Sequence, residues 1–375
     1  MKFIRMLALA SVFMSIAFLY PAFAKDSLNK QRFAEGMEIL DQQPEATLEI
    51  MHALAAVGYP RAMERLGYFY LKGIGVEADL STSVFFYQQA VDAGQTRTLI
   101  SLGRVQILQG NFESALQALK RAVELDVPQA ATYLAWAHAT ERFGKLSDTS
   151  SGIADLLLLS RNGDLRADIF LLEAQVLHAK QLFIDDEVLN RLNREAEAGN
   201  PKVAEALLRY YRRSSSGGEN TRVRAVLLKT PGIREKLALE EKIYLASELE
   251  SKRFWLVSEE LVRSASKEAF PRALSVTAKL NKNAYVRILQ MELNDLGYDT
   301  GHASAYLTQT KIEAINQFCR DHAIVANCVV GPLKSQAVKA LAAQLAEVRC
   351  KTVVSRRSGL ATNSSSCPQH GPRVC

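Results

Sequence analysis

The chain has 375 residues, with 46 Lys+Arg against 40 Asp+Glu and 48% hydrophobic residues. That apolar fraction excludes wholesale disorder, and 20 Gly with 10 Pro exclude a collagen-like or low-complexity chain. At roughly 150 residues per domain, the length fits about two to three domains or one long repeat array.

The chain opens on a leader. Lys2 and Arg5 form a basic start, and Met6 to Tyr20 is an uncharged apolar run, short for a membrane span. Pro21 breaks the run, and Ala22-Phe23-Ala24 is a small-x-small cleavage site. Residues 1–24 are therefore expected to be a signal peptide removed after Ala24, giving an exported, periplasmic product. No Cys follows the run, so a lipoprotein anchor is not expected, and no later stretch is apolar enough to span a membrane. Removing Lys2 and Arg5 takes the net charge from +6 to +4. The stretch from Glu347 to Cys375 sets Arg349, Lys351, Arg356, Arg357 and Arg373 against Glu347 alone. The body between is neutral, which argues against a nucleic-acid partner, since that needs a basic face on the folded part.

Internal periodicity dominates the body. Five ungapped segments begin at Ala56, Asp92, Glu124, Arg161 and Glu197. Their third positions are Gly58, Gly94, Asp126, Gly163 and Gly199, spaced by 36, 32, 37 and 36 residues. Four positions on stand Ala62, Thr98, Ala130, Ala167 and Val203, and eight positions on stands a leucine each time: Leu66, Leu102, Leu134, Leu171 and Leu207. A sixth copy, from Lys267 to Leu280, puts Ala269 in the glycine column 70 residues after Gly199, so a degenerate copy is expected between. The physics of one unit follows. A residue that tolerates the left-handed conformation ends one helix. A proline two residues on (Pro60, Pro128, Pro201) starts the next. The leucine is its core knob. Each unit is a helical hairpin that closes its core only by stacking, so the fold class is all-α, a superhelical α-solenoid followed by a small helical domain.

The first unit, LGYFYLKGIGVEADLSTSVFFYQQAVDAG, resembles a Sel1-like repeat, and GNFESALQALKRAVELD (Gly110–Asp126) resembles a tetratricopeptide repeat. The resemblance covers about Gln31 to Leu280, within a solenoid expected over residues 25–280, and it implies a non-enzymatic scaffold for protein–protein interaction. Exported members often serve cell-envelope machines, including exopolysaccharide synthesis and export. ALAAVGYPRA (Ala53–Ala62) is also similar to the opening repeat of exported scaffolds of alginate-type secretion. A periplasmic regulator holding a membrane sensor kinase is the alternative.

Three features of the body have plain structural readings. The stripe Tyr68, Phe69, Tyr70, Phe85, Phe86, Tyr87 reads as core in preference to a sugar platform. The acidic run Glu240-Glu241, Glu248, Glu250, Glu259-Glu260 reads as a solvated face. Arg212-Arg213 and the serines and glycines after them read as a flexible seam in the solenoid.

Residues 285–346 read as three helices. Leu289-Gln290, Leu296-Gly297-Tyr298, Gly301, Thr310, Ala314-Ile315, Phe318, Val330-Gly331-Pro332 and Ala340-Leu341 resemble the peptidoglycan-binding-like module. Two turns depart from that pattern, at Ala303–Leu307 and at Asn327-Cys328. The resemblance implies the fold first; peptidoglycan binding and a protein-adapter role both stay open. Residues 347–375 read as a flexible basic tail that attracts anionic wall polymer or polysaccharide.

All five cysteines (Cys319, Cys328, Cys350, Cys367, Cys375) fall after the solenoid. Cys319 ends the second helix of the small module and Cys328 precedes its third, so the chain doubling back suits a bridge between them in an oxidising compartment. A buried apolar Cys319 is the alternative. No C-x-x-C, H-E-x-x-H, G-x-S-x-G or phosphate loop occurs, and the six histidines are scattered, so no catalytic residue, metal or cofactor is expected.

Overall fold

The computed structural model describes residues 26–178, 182–213 and 218–357. The expected signal peptide, the serine-rich break at 214–217 and residues 358–375 lie outside the described residues. Among the described residues the chain is all helix and turn, with no strand. It divides into two compact units between Val188 and Leu189.

The first unit contains α1 (26–38), α2 (Pro44–Ala56), α3 (Pro60–Lys72), α4 (Leu80–Asp92), α5 (Thr98–Gln109), α6 (Phe112–Glu124) and α7 (Ala130–Ala139). A 3-10 turn (Gly144–Leu146), α8 (Thr149–Arg161) and α9 (Leu165–Leu177) follow. Helices adjacent in sequence pack against each other from α2 to α9, as stacked hairpins require. The turn column works as its residue types dictate. Gly58, Gly94, Asp126, Gly163 and Gly199 all take positive φ, at 83°, 88°, 48°, 84° and 91°. Each closes the preceding helix with the same pair of bonds. Gly58 donates to Ala55 O and Tyr59 to Leu54 O, and the pattern recurs at Asp126 and Val127 with Val123 and Ala122. That is a Schellman cap, which needs a left-handed residue. The helix after the turn starts on Pro60, or on a capping aspartate, Asp164, which accepts from Arg166 N at 2.8 Å; within the first hairpin Asp79 caps α4 in the same way, accepting from Ser81 N at 2.8 Å. Pro128 does not start a helix: it lies in the turn, and α7 begins at Ala130 after Gln129, which takes φ 69°.

The leucine column is buried at Leu66, Leu102, Leu171 and Leu207. Leu134 departs, being only partly buried, while Ala135 beside it is 2% exposed. The cause is α8. Gly152 brings that helix so close to α7 that a Cβ there would stand 2.4 Å from Ala139 N and 2.7 Å from Ala135 O. The alanine stripe of α7 therefore faces α8, and Leu134 sits at the border of the core formed by Ala115, Leu119, Ala137 and Phe143. The aromatic stripe is also divided. Phe69, Phe86 and Tyr87 are buried, but Tyr68 and Phe85 are exposed, so core is the right reading for only part of it.

The second unit begins within α10 (Asp186–Glu197) and continues through α11 (Pro201–Arg213), α12 (Gly218–Leu227), α13 (Glu235–Ala246), α14 (Ser251–Arg263), α15 (Phe270–Leu280), α16 (Lys282–Asp295), α17 (Gln309–Asp321), α18 (Val325–Cys328) and α19 (Ser335–Arg357). The degenerate copy is α13: Gly232, with φ 81°, precedes it in the turn position. The sixth copy has lost the left-handed turn, since Ala269 takes φ −89°; a Cβ makes that conformation costly.

One continuous core runs from Leu239 to Val348 and includes Phe254, Phe270, Tyr285, Phe318 and Leu341. It crosses the expected border at 280–285, so the last helices share a core with α13–α15. Tyr285 is fully buried there and its hydroxyl donates to Pro332 O at 3.0 Å. α19 also outruns the expected module end. Glu347 pairs with Lys267 at 2.6 Å and Arg349 with buried Glu292 at 3.0 Å, so the first residues assigned to the tail are anchored helix. Cys319 and Cys328 form a disulfide with Cα atoms 6.4 Å apart.

Candidate protein-interaction face

The repeat places three further columns on one helical face of the first unit. Counted from the leucine, they stand five before, one before and two after, which is i, i+4, i+7 spacing. The first column reads Arg61, Arg97, Gln129, Arg166. The second reads Arg65, Ser101, Tyr133, Phe170. The third reads Tyr68, Arg104, Trp136, Glu173. Arginines thus prevail on α3 and α5, and aromatic rings on α7, with Arg166 and Phe170 side by side on α9.

At the α7–α9 end these side chains satisfy one another. Trp136 stacks on Phe170 with centroids 5.2 Å apart and donates Nε1–H to Glu173 at 2.8 Å. Arg166 donates to the Tyr133 hydroxyl at 2.5 Å. Arg142 lies 5.2 Å from the Trp136 ring centroid.

At the α1–α3–α5 end the face opens into a cleft of about 200 Å³. Phe33, Arg61, Arg65, Tyr68, Tyr87 and Arg97 line it, with Glu64 and Ser101. Arg61 lies over Phe33 at 5.3 Å and Arg65 over Tyr68 at 5.7 Å. Such stacking holds a guanidinium in place and leaves its N–H edge available. Among the described residues neither arginine has a carboxylate partner. Glu64, the carboxylate of the cleft, is already engaged by Gln95 at 3.0 Å and Arg97 at 3.5 Å. Burial pushes the Tyr87 phenol up to about 12, so it stays neutral at physiological pH. The cleft is cationic and can hold an anion.

A second constellation lies in the second unit, where the acidic run was expected to be a solvated face. Glu240 and Glu241 are buried. Glu240 stands in the leucine column of the degenerate copy, eight after Gly232. Arg272 bonds Glu240 through two nitrogens at 2.7 and 2.8 Å, and Arg212 reaches both acids at 3.1 Å. Arg224 bonds Glu241 at 2.5 Å. Arg234 bonds buried Glu205 through a bidentate contact. Arg212, expected in a seam, is therefore a fixed partner. Burial raises the Glu241 carboxyl despite its arginines. Burial works the same way on Glu240, but the hydrogen bonds from Arg272 and the charge of Arg212 outweigh it and hold that carboxyl below its ordinary value. With every acid matched to a guanidinium, the network is a structural clasp.

The leucine and turn columns build the scaffold that presents the face, and the disulfide lies in the second unit. The signal for the face lies in the sequence, in the columns flanking the leucine on one side, where arginines and aromatics stand in place of the aliphatic residues of a core column. Among the described residues no three His, Cys, Asp or Glu side chains converge as a metal site, and no helix is long and apolar enough to cross a membrane.

Residues 60–95 match the family model of the Sel1 repeat. Two solved structures are similar. One is a Sel1 repeat protein from Oxalobacter formigenes, at 20% identity over 54% of this chain and 87% of that one, with a TM-score of 0.38. The other is a protective antigen of uropathogenic Escherichia coli strains that displays an SLR fold, at 14% identity over 93% of this chain and 90% of that one, also with a TM-score of 0.38. No curated protein is similar to the chain in sequence.

Proposed function

We propose that the chain is a non-enzymatic, exported scaffold that holds cell-envelope proteins on the arginine–aromatic face of its first unit. The observation that carries this reading is that face: three columns of one repeat put guanidinium groups and rings on α3, α5, α7 and α9, above a core fixed by leucine. A Sel1 repeat is typically a protein-binding unit, which agrees. The leader sequence and the disulfide support export to an oxidising compartment. Within the envelope the service proposed is exopolysaccharide assembly or export of the alginate type, on the similarity of Ala53–Ala62 to such scaffolds. The last helices, α16 to α19, act in this reading as an adapter to peptidoglycan or to a further protein, and the basic residues of the stretch 347–375, Lys351, Arg356, Arg357 and Arg373 among them, hold anionic polymer.

The test is affinity capture of the full exported protein from cross-linked envelope extracts, read by mass spectrometry. Enrichment of polysaccharide synthesis or export proteins is expected. Enrichment of a sensor kinase would replace the service, and recovery of no envelope protein would overturn the scaffold reading.

A further inference from the structure

We infer that the cleft between α1, α3 and α5 binds a carboxylate-rich peptide segment of the partner protein. This deepens the scaffold reading and rests on it. Four arginines belong to this end of the face, Arg61, Arg65, Arg97 and Arg104, against Glu64 alone. Arg104 also lies over a ring, Tyr133, at 5.4 Å. Arg61, Arg65 and Arg104 have stacking partners but no hydrogen bond or ion pair among the described residues. A guanidinium fixed on a ring, with its N–H fork unmatched, suits a planar carboxylate that accepts two parallel bonds.

Charge complementarity therefore names the ligand's sign, and the rings name its class. A sugar is held by stacking on an open aromatic face. The two accessible rings of the cleft, Phe33 and Tyr68, already carry guanidinium groups, and Tyr87 is buried. What the cleft offers is an array of N–H donors. A space of about 200 Å³ admits side chains of an extended segment and excludes a folded domain. An acidic stretch of peptide meets both conditions.

The contrast with the α7–α9 end supports this assignment. There Glu173 accepts from Trp136 at 2.8 Å and stands 3.8 Å from Arg142. The protein's own carboxylate thus occupies, in that part of the face, the role that the partner's carboxylates fill in the cleft.

The test uses the mature full-length protein and fluorescein-labelled hexaglutamate, with hexaglutamine and an alginate oligosaccharide of equal charge as the other arms, by anisotropy at low salt. Hexaglutamate is expected to bind, and the other two to bind at least about tenfold more weakly. Arg61→Gln and Arg65→Gln should each cost about tenfold in Kd, as losing one charged hydrogen-bonded contact does. Arg61→Lys should also weaken binding, since lysine keeps the charge and loses the fork. Both positions lie on the face outside the core, and circular dichroism checks the fold. Absence of hexaglutamate binding, equal affinity of the variants, or equal binding of the oligosaccharide would overturn the assignment. Envelope capture with the double Arg61→Gln/Arg65→Gln protein separates the two claims. If it retains every partner of the wild type, the cleft assignment falls and the scaffold stands. If the wild type itself captures none, the scaffold falls.

Discussion

Glu241 on α13 accepts a hydrogen bond from Arg224 Nε on α12 at 2.5 Å, and both side chains are buried. Arg212 on α11 reaches the other oxygen of Glu241 at 3.1 Å. Three successive helices are thus clasped by one carboxylate, next in sequence to Glu240 in the leucine column. Removing one partner of such a pair strands the others. Glu241→Gln should destabilise the second unit by about 3–5 kcal/mol, measured by urea unfolding. Replacing Arg224 and Glu241 together by Met and Leu should cost far less, because Arg212 keeps Glu240 at 3.1 Å and Glu248, which loses Arg224, is exposed to water and keeps the Thr221 hydroxyl.

Glu240 gives a pH dependence of defined sign. Its folded carboxyl is held below the ordinary 4.5. A depressed acid stabilises the fold above its unfolded value, and that contribution is lost as pH falls from about 4.5 through the folded value. Glu240→Gln should therefore lower stability clearly at pH 7 and much less at pH values below the folded one. Urea titrations across that range check it, and an equal loss at every pH would show that the charge is not what matters.

The leucine column predicts unequal costs. Leu171→Ala removes a fully buried side chain and should destabilise by about 2–5 kcal/mol. Leu134→Ala lies at the margin of its core and should cost clearly less. Thermal melts of the two variants make the comparison.

Loss of the disulfide should cost somewhat under ~3 kcal/mol, since the loop between Cys319 and Cys328 is short. Cys319→Ser/Cys328→Ser protein, unfolded without reductant, measures it. The secondary structure of the unit should survive, because Phe318, Leu341 and Tyr285 remain in the core.

What was legible in the sequence was whatever recurs. Gly58, Gly94, Asp126, Gly163 and Gly199 announce Schellman turns because few residues tolerate positive φ. The spacing from turn to leucine gives the helix phase. Leu134 was misplaced because the repeat cannot report that Gly152, on the neighbouring helix, draws the alanine face of α7 inward. Glu248, Glu250 and Glu260 of the acidic run are exposed, as a solvated face requires, but its first two residues were misread for a related reason. Glu240 and Glu241 sit in core columns of a copy whose leucine is gone, and their arginines come from α11, α12 and α15, which no local pattern joins to them. The border at 280–285 was drawn from a family pattern, whereas Tyr285 and Leu289 share a core with Phe254 and Phe270. The interaction face was written in the flanking columns, but only contacts between repeats distinguish the self-paired end from the open one.

Site-specific photo-crosslinking in living cells tests the central claim most directly. A photoreactive residue placed at Tyr68 or Ser101, in the cleft, should form crosslinks to envelope proteins, and Arg61→Gln/Arg65→Gln should abolish them. The same residue at exposed Phe85, on α4 outside the three columns, should form few or none. Crosslinks from Phe85 with none from Tyr68 or Ser101 would contradict the account, since partners would then be held away from the arginine–aromatic face.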